Sequence, residues 1–138
     1  MILSLVDSSI LIDLLNKTPI WGDWSFRQMD VASQSGHLVI NQIVFAETAT
    51  YFETLQDLDR VLSAFKINRE DLPWEAAGLA GLAHVKYRKE GGPRERVLPD
   101  FLIGAHAMQK NYRLLTRDGR RYRAYFPKLD IIAPDTHP

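Results

Sequence analysis

Apolar residues follow two rhythms along this chain. Unbroken short runs such as Ile2-Leu3-Ser4-Leu5-Val6 and Leu38-Val39-Ile40 are bounded by polar or turn residues, which predicts buried strands. Elsewhere apolar positions recur every three to four residues, which predicts helices packed on one face. Strands are expected near 2–6, 38–41, 113–116 and 130–132, with Phe65-Lys66-Ile67 as a further short one. Helices are expected over 8–16, 23–35, 43–53, 56–65, from Pro73 to Lys89, and over 100–110. Breaks fall at Thr18-Pro19-Ile20-Trp21-Gly22, at Gly36, and at the loop from Glu90 to Arg96. Ala76, Ala77, Gly78, Ala80, Gly81 and Ala83 give the helix after Pro73 a small-residue face suited to close packing. Strands alternating with helices imply an α/β fold with a mainly parallel central sheet in three layers.

With 138 residues and 46% hydrophobic content, residues 1–138 suit a single domain burying roughly two-thirds of its unfolded surface. The chain has no Cys, so it carries no disulfide framework, and a reducing cytoplasm is the expected compartment. The apolar start lacks a basic leader and is interrupted by Asp7 and Asp13, so it reads as strand and helix rather than as a signal peptide or membrane span.

A formal net charge of zero conceals a division. Residues 1–75 hold eleven Asp/Glu against five Lys/Arg, and residues 76–138 hold twelve Lys/Arg against six Asp/Glu. The basic half therefore points to a polyanion or an acidic partner. Lys86, Arg88, Lys89, Arg94 and Arg96 precede Asp100, while Arg117, Arg120, Arg121 and Arg123 flank Asp118. Arg94, Arg96, Arg117 and Arg121 are the candidate phosphate contacts, and Tyr87, Tyr122 and Tyr125 are placed among them to stack on bases.

Four acids form the candidate chemistry. Asp7 follows the first strand, at the edge where open α/β sheets bind ligands; its alternative role is a helix N-cap. Glu47 shares an apolar helix face with Ile43 and Tyr51 and needs a partner there, either Arg or Lys or a bound cation. Asp100, after Pro99, falls in a first helical turn, where the helix dipole alone would favour it. Asp118 precedes Gly119 and is otherwise an Asp-Gly turn residue. Together they suit phosphodiester hydrolysis, in which one or two divalent cations neutralise developing charge. Carboxylate oxygens suit Mg²⁺ or Mn²⁺. Zinc is disfavoured, since His37, His84, His106 and His137 show no paired ligand spacing, and His106 reads as a core or supporting group.

Val6-Asp7-Ser8-Ser9-Ile10-Leu11-Ile12 resembles the opening motif of the PIN-domain superfamily. Glu47, Leu98-Pro99-Asp100-Phe101-Leu102-Ile103-Gly104-Ala105-His106-Ala107 and Leu115-Thr116-Arg117-Asp118 match its later acidic positions in order. The likeness is greatest to VapC-type toxins of toxin–antitoxin pairs and spans essentially the whole chain, including Arg121-Tyr122 and Tyr125-Phe126-Pro127. The resemblance implies a PIN-like α/β/α sandwich and Mg²⁺- or Mn²⁺-dependent ribonuclease activity on structured RNA. It also implies a homodimer and a small inhibitory antitoxin. Asp7, Glu47, Asp100 and Asp118 would be the metal-binding and catalytic acids, with Ser9 and Thr116 as supporting groups. Asn41-Gln42 departs from the pattern, standing where a Ser is often found. The rival enzyme is a DNA or flap-type nuclease. The rival outside enzymes is a PIN-like module that binds RNA or an antitoxin without cutting, against which the intact acids argue.

Overall fold

The computed structural model describes residues 2–16, 20–91 and 98–138. Five short strands, β1 (Ser4–Val6), β2 (Leu38–Ile40), β3 (Ile67–Arg69), β4 (Arg113–Leu115) and β5 (Ile131–Ile132), form one sheet in the order β3-β2-β1-β4-β5. Every neighbouring pair is parallel. Central parallel strands are covered on both faces and so require continuous apolar side chains. Leu5, Val6, Ile40, Leu114 and Leu115 are accordingly shut off from solvent.

Among the described residues seven helices connect the strands: α1 (Ser8–Asn16), α2 (Trp21–Ser35), α3 (Gln42–Ala49), α4 (Leu55–Ala64), α5 (Trp74–Lys89), α6 (Leu98–Lys110) and α7 (Gly119–Tyr125). From β1 to β3 the chain steps one way across the sheet, and from β3 through β4 to β5 it steps back. Right-handed crossovers therefore put α1–α4 on one face and α5–α7 on the other, completing three layers. Packing of α1 on α2, and of α6 on both α5 and α7, follows that division. The reversal lies between β1 and β4. A crevice opens at their carboxyl ends, the position where such sheets bind ligands.

Several boundaries differ from the sequence expectation. The helix expected over 43–53 stops at Ala49, because Tyr51 and Phe52 bond back three residues and Thr54 then caps α4 through its hydroxyl. The third strand falls at 67–69 rather than 65–67: Phe65 ends α4, and Lys66 takes a left-handed φ of 56° before the chain extends. Helix α7 was not anticipated at all. In α5 the contact face belongs to Ala76 and Ala80, both fully buried, whereas an added Cβ at Gly78 or Gly81 would meet nothing within 4 Å. The outer face of α5 leaves Trp74, Leu79, Leu82 and Val85 exposed.

Gly104 is required by proximity. A Cβ on Gly104 would lie 2.5 Å from the Phe126 ring and 3.3 Å from that of Tyr122, so its absence lets α6 sit directly on α7. That approach brings the start of α6 and the middle of α7 to the crevice.

Candidate active site

Asp7 leaves β1 where its backbone N–H still bonds to Leu115 of β4 at 2.9 Å, so its side chain starts at the mouth of the crevice. Only 3% of the residue is exposed. Three hydroxyls donate to its carboxylate: Ser9 and Thr116 to Oδ2 at 2.9 and 2.8 Å, and Tyr122 to Oδ1 at 3.1 Å. Hydroxyls bring no positive charge. Burial therefore pushes the Asp7 carboxyl above its ordinary range despite those three bonds.

The hydroxyl partners tie the neighbouring loops to this point. Ser9 Oγ accepts from the Arg117 amide at 3.2 Å, and Thr116 Oγ1 accepts from the Asp118 amide at 3.1 Å. Ser9 and Thr116 thus support Asp7 directly while fixing the turn that carries Asp118. Asp118 stands at the N-terminus of α7 but makes no capping bond with its side chain. Its carboxylate takes Arg121 Nη2 at 2.9 Å instead.

Asp100 occupies the first turn of α6. Its Oδ1 is 3.4 Å from Tyr122 Oη, whose single proton serves the shorter bond to Asp7. Its Oδ2 is 3.2 Å from Arg121 Nη1. Burial, with Asp7 and Glu47 nearby, raises the Asp100 carboxyl to about 6, even against the pull of Arg121. Glu47, half-buried on α3, accepts from Ser8 Oγ at 2.9 Å, and its carboxyl is raised by burial and by Asp7. The Glu47 partner is thus a hydroxyl rather than the Arg or Lys considered from sequence.

All four acids line one cleft of about 280 Å³, together with Ser8, Ser9, Ile12, Tyr51, Pro99, Arg117 and Arg121. Every carboxyl and hydroxyl donor there is a hard oxygen, the kind Mg²⁺ and Mn²⁺ take. Four acids against two arginines, with Asp7, Asp100 and Glu47 raised above their ordinary range by burial, make a site short of positive charge. As the side chains stand, however, no three Asp, Glu or His groups among the described residues form a ready-made ligand set.

The basic residues divide. Arg117 lies at the cleft, its Nη1 3.1 Å from the buried Asp13 and its guanidinium 6.0 Å from the Trp21 ring centroid. Arg121 bridges Asp100 and Asp118, while Arg94 and Arg96 lie outside the described residues. Of the tyrosines expected to stack on bases, Tyr122 and Tyr125 are core residues instead, and Tyr87 is half-buried against them. Tyr122 is fully buried, and Tyr125 is stacked on Phe101 at 4.1 Å with Tyr87 edge-on to it at 4.8 Å. Tyr122 and Tyr125 of α7 and the adjoining Phe126 share one face, and packing against α6 turns that face inward.

Three functional groups escaped the sequence reading. Tyr122 lies between Asp7 and Asp100, Asp13 holds Arg117, and Ser8 orients Glu47. A fourth feature is a buried chain of bonds beside the cleft. Asn41 caps α3 by accepting from Ile43 and Val44 amides at 3.0 and 3.1 Å, doing there what a Ser would do. Its amide donates to His106 Nδ1 at 3.0 Å, which leaves Nε2–H to donate to Glu70 at 2.7 Å, with Tyr112 Oη on the other Glu70 oxygen at 2.8 Å. Burial lowers the His106 pKa, so the imidazole is neutral and its bond to Glu70 is not an ion pair. His106 is thus a supporting group that locks α6 to α3.

A family model described as the PIN domain matches residues 4–127. No curated protein sequence matches the chain. Among solved structures, VapBC2 from Rickettsia felis bound to a promoter DNA fragment aligns over 96% of this chain and 98% of its own at 19% identity, with a TM-score of 0.75. FitAcB from Neisseria gonorrhoeae aligns over 98% and 99% at 18% identity and a TM-score of 0.68. A toxin–antitoxin complex from Klebsiella pneumoniae aligns over 95% and 97% at 22% identity and a TM-score of 0.65. At these identities the shared property is the fold.

Proposed function

Since the chain belongs to the PIN domain family, we propose that it is a Mg²⁺- or Mn²⁺-dependent endoribonuclease acting on structured RNA, the toxin of a toxin–antitoxin pair. The observation that carries this reading is the convergence of Asp7, Glu47, Asp100 and Asp118 on one cleft from four separate elements. Asp7, Asp100 and Asp118 would hold the principal cation, and Glu47 would do so directly or through water. When bound, the cation supplies positive charge to a phosphodiester undergoing hydrolysis and lowers the pKa of water.

The chain's own residues prepare that event. Ser9, Thr116 and Tyr122 fix the Asp7 carboxylate in one orientation, and Ser8 does the same for Glu47. Asp100, with its carboxyl at about 6, gives up whatever proton it retains as a cation enters, so binding releases protons. Arg117, anchored by Asp13, stands where a phosphate of the substrate backbone would enter the cleft.

A small antitoxin partner is supported by the shared fold with structures described as VapBC and toxin–antitoxin complexes. The homodimer draws support from the exposed apolar outer face of α5. Among the described residues no helix is long and apolar enough to cross a membrane. Cleavage assays on structured RNA, with Mg²⁺, with Mn²⁺ and with excess chelator, test the reading. Cleavage is expected only with metal and is lost in Asp100→Asn; equal cleavage in chelator would overturn the metal mechanism. Equal or faster cutting of an all-DNA substrate of the same sequence and fold would favour the DNA-type nuclease instead.

A further inference from the structure

We infer that Arg121 is a built-in counter-cation of the cleft, bridging Asp100 and Asp118 until a divalent cation displaces it. The inference rests on the metal-dependent reading above and concerns how this chain's own residue controls metal uptake. Arg121 places Nη1 3.2 Å from Asp100 Oδ2 and Nη2 2.9 Å from Asp118 Oδ2, so one guanidinium takes an oxygen from each of two acids. A guanidinium has donors only and is always charged, so, unlike a water or hydroxyl donor, it repels a metal that approaches the same carboxylates and competes with it for them.

The surroundings single Arg121 out. Arg117, the other Arg lining the cleft, is engaged by Asp13, and Asp7 and Glu47 are met by hydroxyls. Arg121 is therefore the cation in direct contact with the acid group among the described residues. Its bridge also accounts for the lack of a ready-made ligand trio, because two of the four carboxylates are turned to the guanidinium. The side chain is 43% exposed, leaving it free to swing outward on α7. Once released it remains beside the cleft with five N–H donors, suited to a phosphate oxygen. Substrate phosphate that holds it away from Asp100 must, by reciprocity, tighten metal binding.

The test is a Mn²⁺ titration followed by the spectroscopic signal of free Mn²⁺, on wild type, Arg121→Gln, Arg121→Lys and Asp100→Asn, with far-ultraviolet circular dichroism confirming each fold. Arg121→Gln is expected to bind up to about fivefold more tightly than wild type, the order set by one partly exposed bridging pair. Arg121→Lys retains the charge but loses the two-pronged bridge, and should fall between the two. If the long-range field of the charge were the whole effect, Arg121→Lys would bind as wild type does, and the bridge inference would fall. Equal or weaker binding by Arg121→Gln, with Asp100→Asn still losing Mn²⁺, overturns the inference and leaves the metal site standing. No Mn²⁺ uptake by wild type, Arg121→Gln or Arg121→Lys would overturn the metal reading itself, and the inference with it.

Discussion

Asp7 and Glu70 each follow the last residue of a parallel strand on the same edge of the sheet, and both accept hydrogen bonds, yet their carboxyls are shifted in opposite directions. Glu70, partly open to water, is raised by what burial it has, but the Tyr112 hydroxyl and His106 imidazole N–H outweigh that and hold its carboxyl below the usual range. Asp7 receives three hydroxyls and is raised nonetheless, because burial is complete and Asp118 adds to the cost. The first cluster is closed: nearly every donor meets an acceptor, and its output is rigidity between α3 and α6. The second gathers four acids against two arginines, Arg117 and Arg121, and Arg117 is engaged by Asp13, a shortfall of positive charge suited to receiving a cation. Buried polar groups alone therefore do not identify a site; unmet charge does.

The sharpest break of this comparison is to neutralise one carboxylate of each kind. Asp7→Asn should reduce RNA cleavage by roughly 100-fold or more, since changes merely beside a metal's ligands already cost 10–100-fold. Glu70→Gln should leave the rate within the same order of magnitude. Initial rates at saturating Mg²⁺ decide it, and similar losses in both variants would erase the distinction.

Stability should show the reverse preference. His106→Ala strands the Asn41 amide and the Glu70 carboxylate beside a cavity, and about 2–4 kcal/mol of unfolding free energy should be lost in urea titrations. In chelator, Asp7→Asn should cost far less, or stabilise.

A smaller effect comes from pH. The Asp100 carboxyl is raised from its ordinary value to about 6, so the folded protein binds its proton more tightly than the unfolded chain does. In chelator this makes folding less favourable as pH rises from about 4 through 6, and melting temperature should climb again on acidification from pH 7 toward 5. Asp100→Asn should flatten that rise and, at pH 7.5, match or exceed wild type by on the order of 1 kcal/mol. A metal-free wild type that loses stability steadily over the same window would contradict the strained-carboxylate picture.

The smallest expected change concerns salt. Arg117→Ala should flatten the slope of log affinity for RNA against log salt by about 0.7–1 unit, while Arg60→Ala, on exposed α4, should leave it unchanged. Equal slopes in both would mean that Arg117 meets no phosphate.

Legibility of the molecule in its sequence follows the range of the interactions. Strand positions came from runs that burial on two faces demands, and Asp7, Glu47, Asp100 and Asp118 stood out because each interrupts or ends an apolar pattern. Helix α7 was missed because Gly119-Arg120-Arg121-Tyr122-Arg123-Ala124-Tyr125 looks like a basic loop, and only packing on Gly104 and Phe101 turns its tyrosines inward. The Arg117–Asp13 pair and the His106 chain join residues far apart in sequence, where no local pattern can register them. Asn41 looked like a departure and proved to be a helix cap by other means.

The bond from Thr116 to Asp7 spans 109 positions, and it joins the first strand to the fourth. During synthesis, then, a nascent chain that has emerged only through α5 carries Asp7 and Glu47 without Asp100, Asp118 or the central strand that β1 pairs with on its other side. Closing so long a loop is among the slower steps of folding, because its entropy is spent before any contact compensates. Order of translation thus sets an interval: the cleft that gathers Asp7, Glu47, Asp100 and Asp118 is completed only after α6 and β4 have emerged, so it is among the last parts of the molecule to assemble.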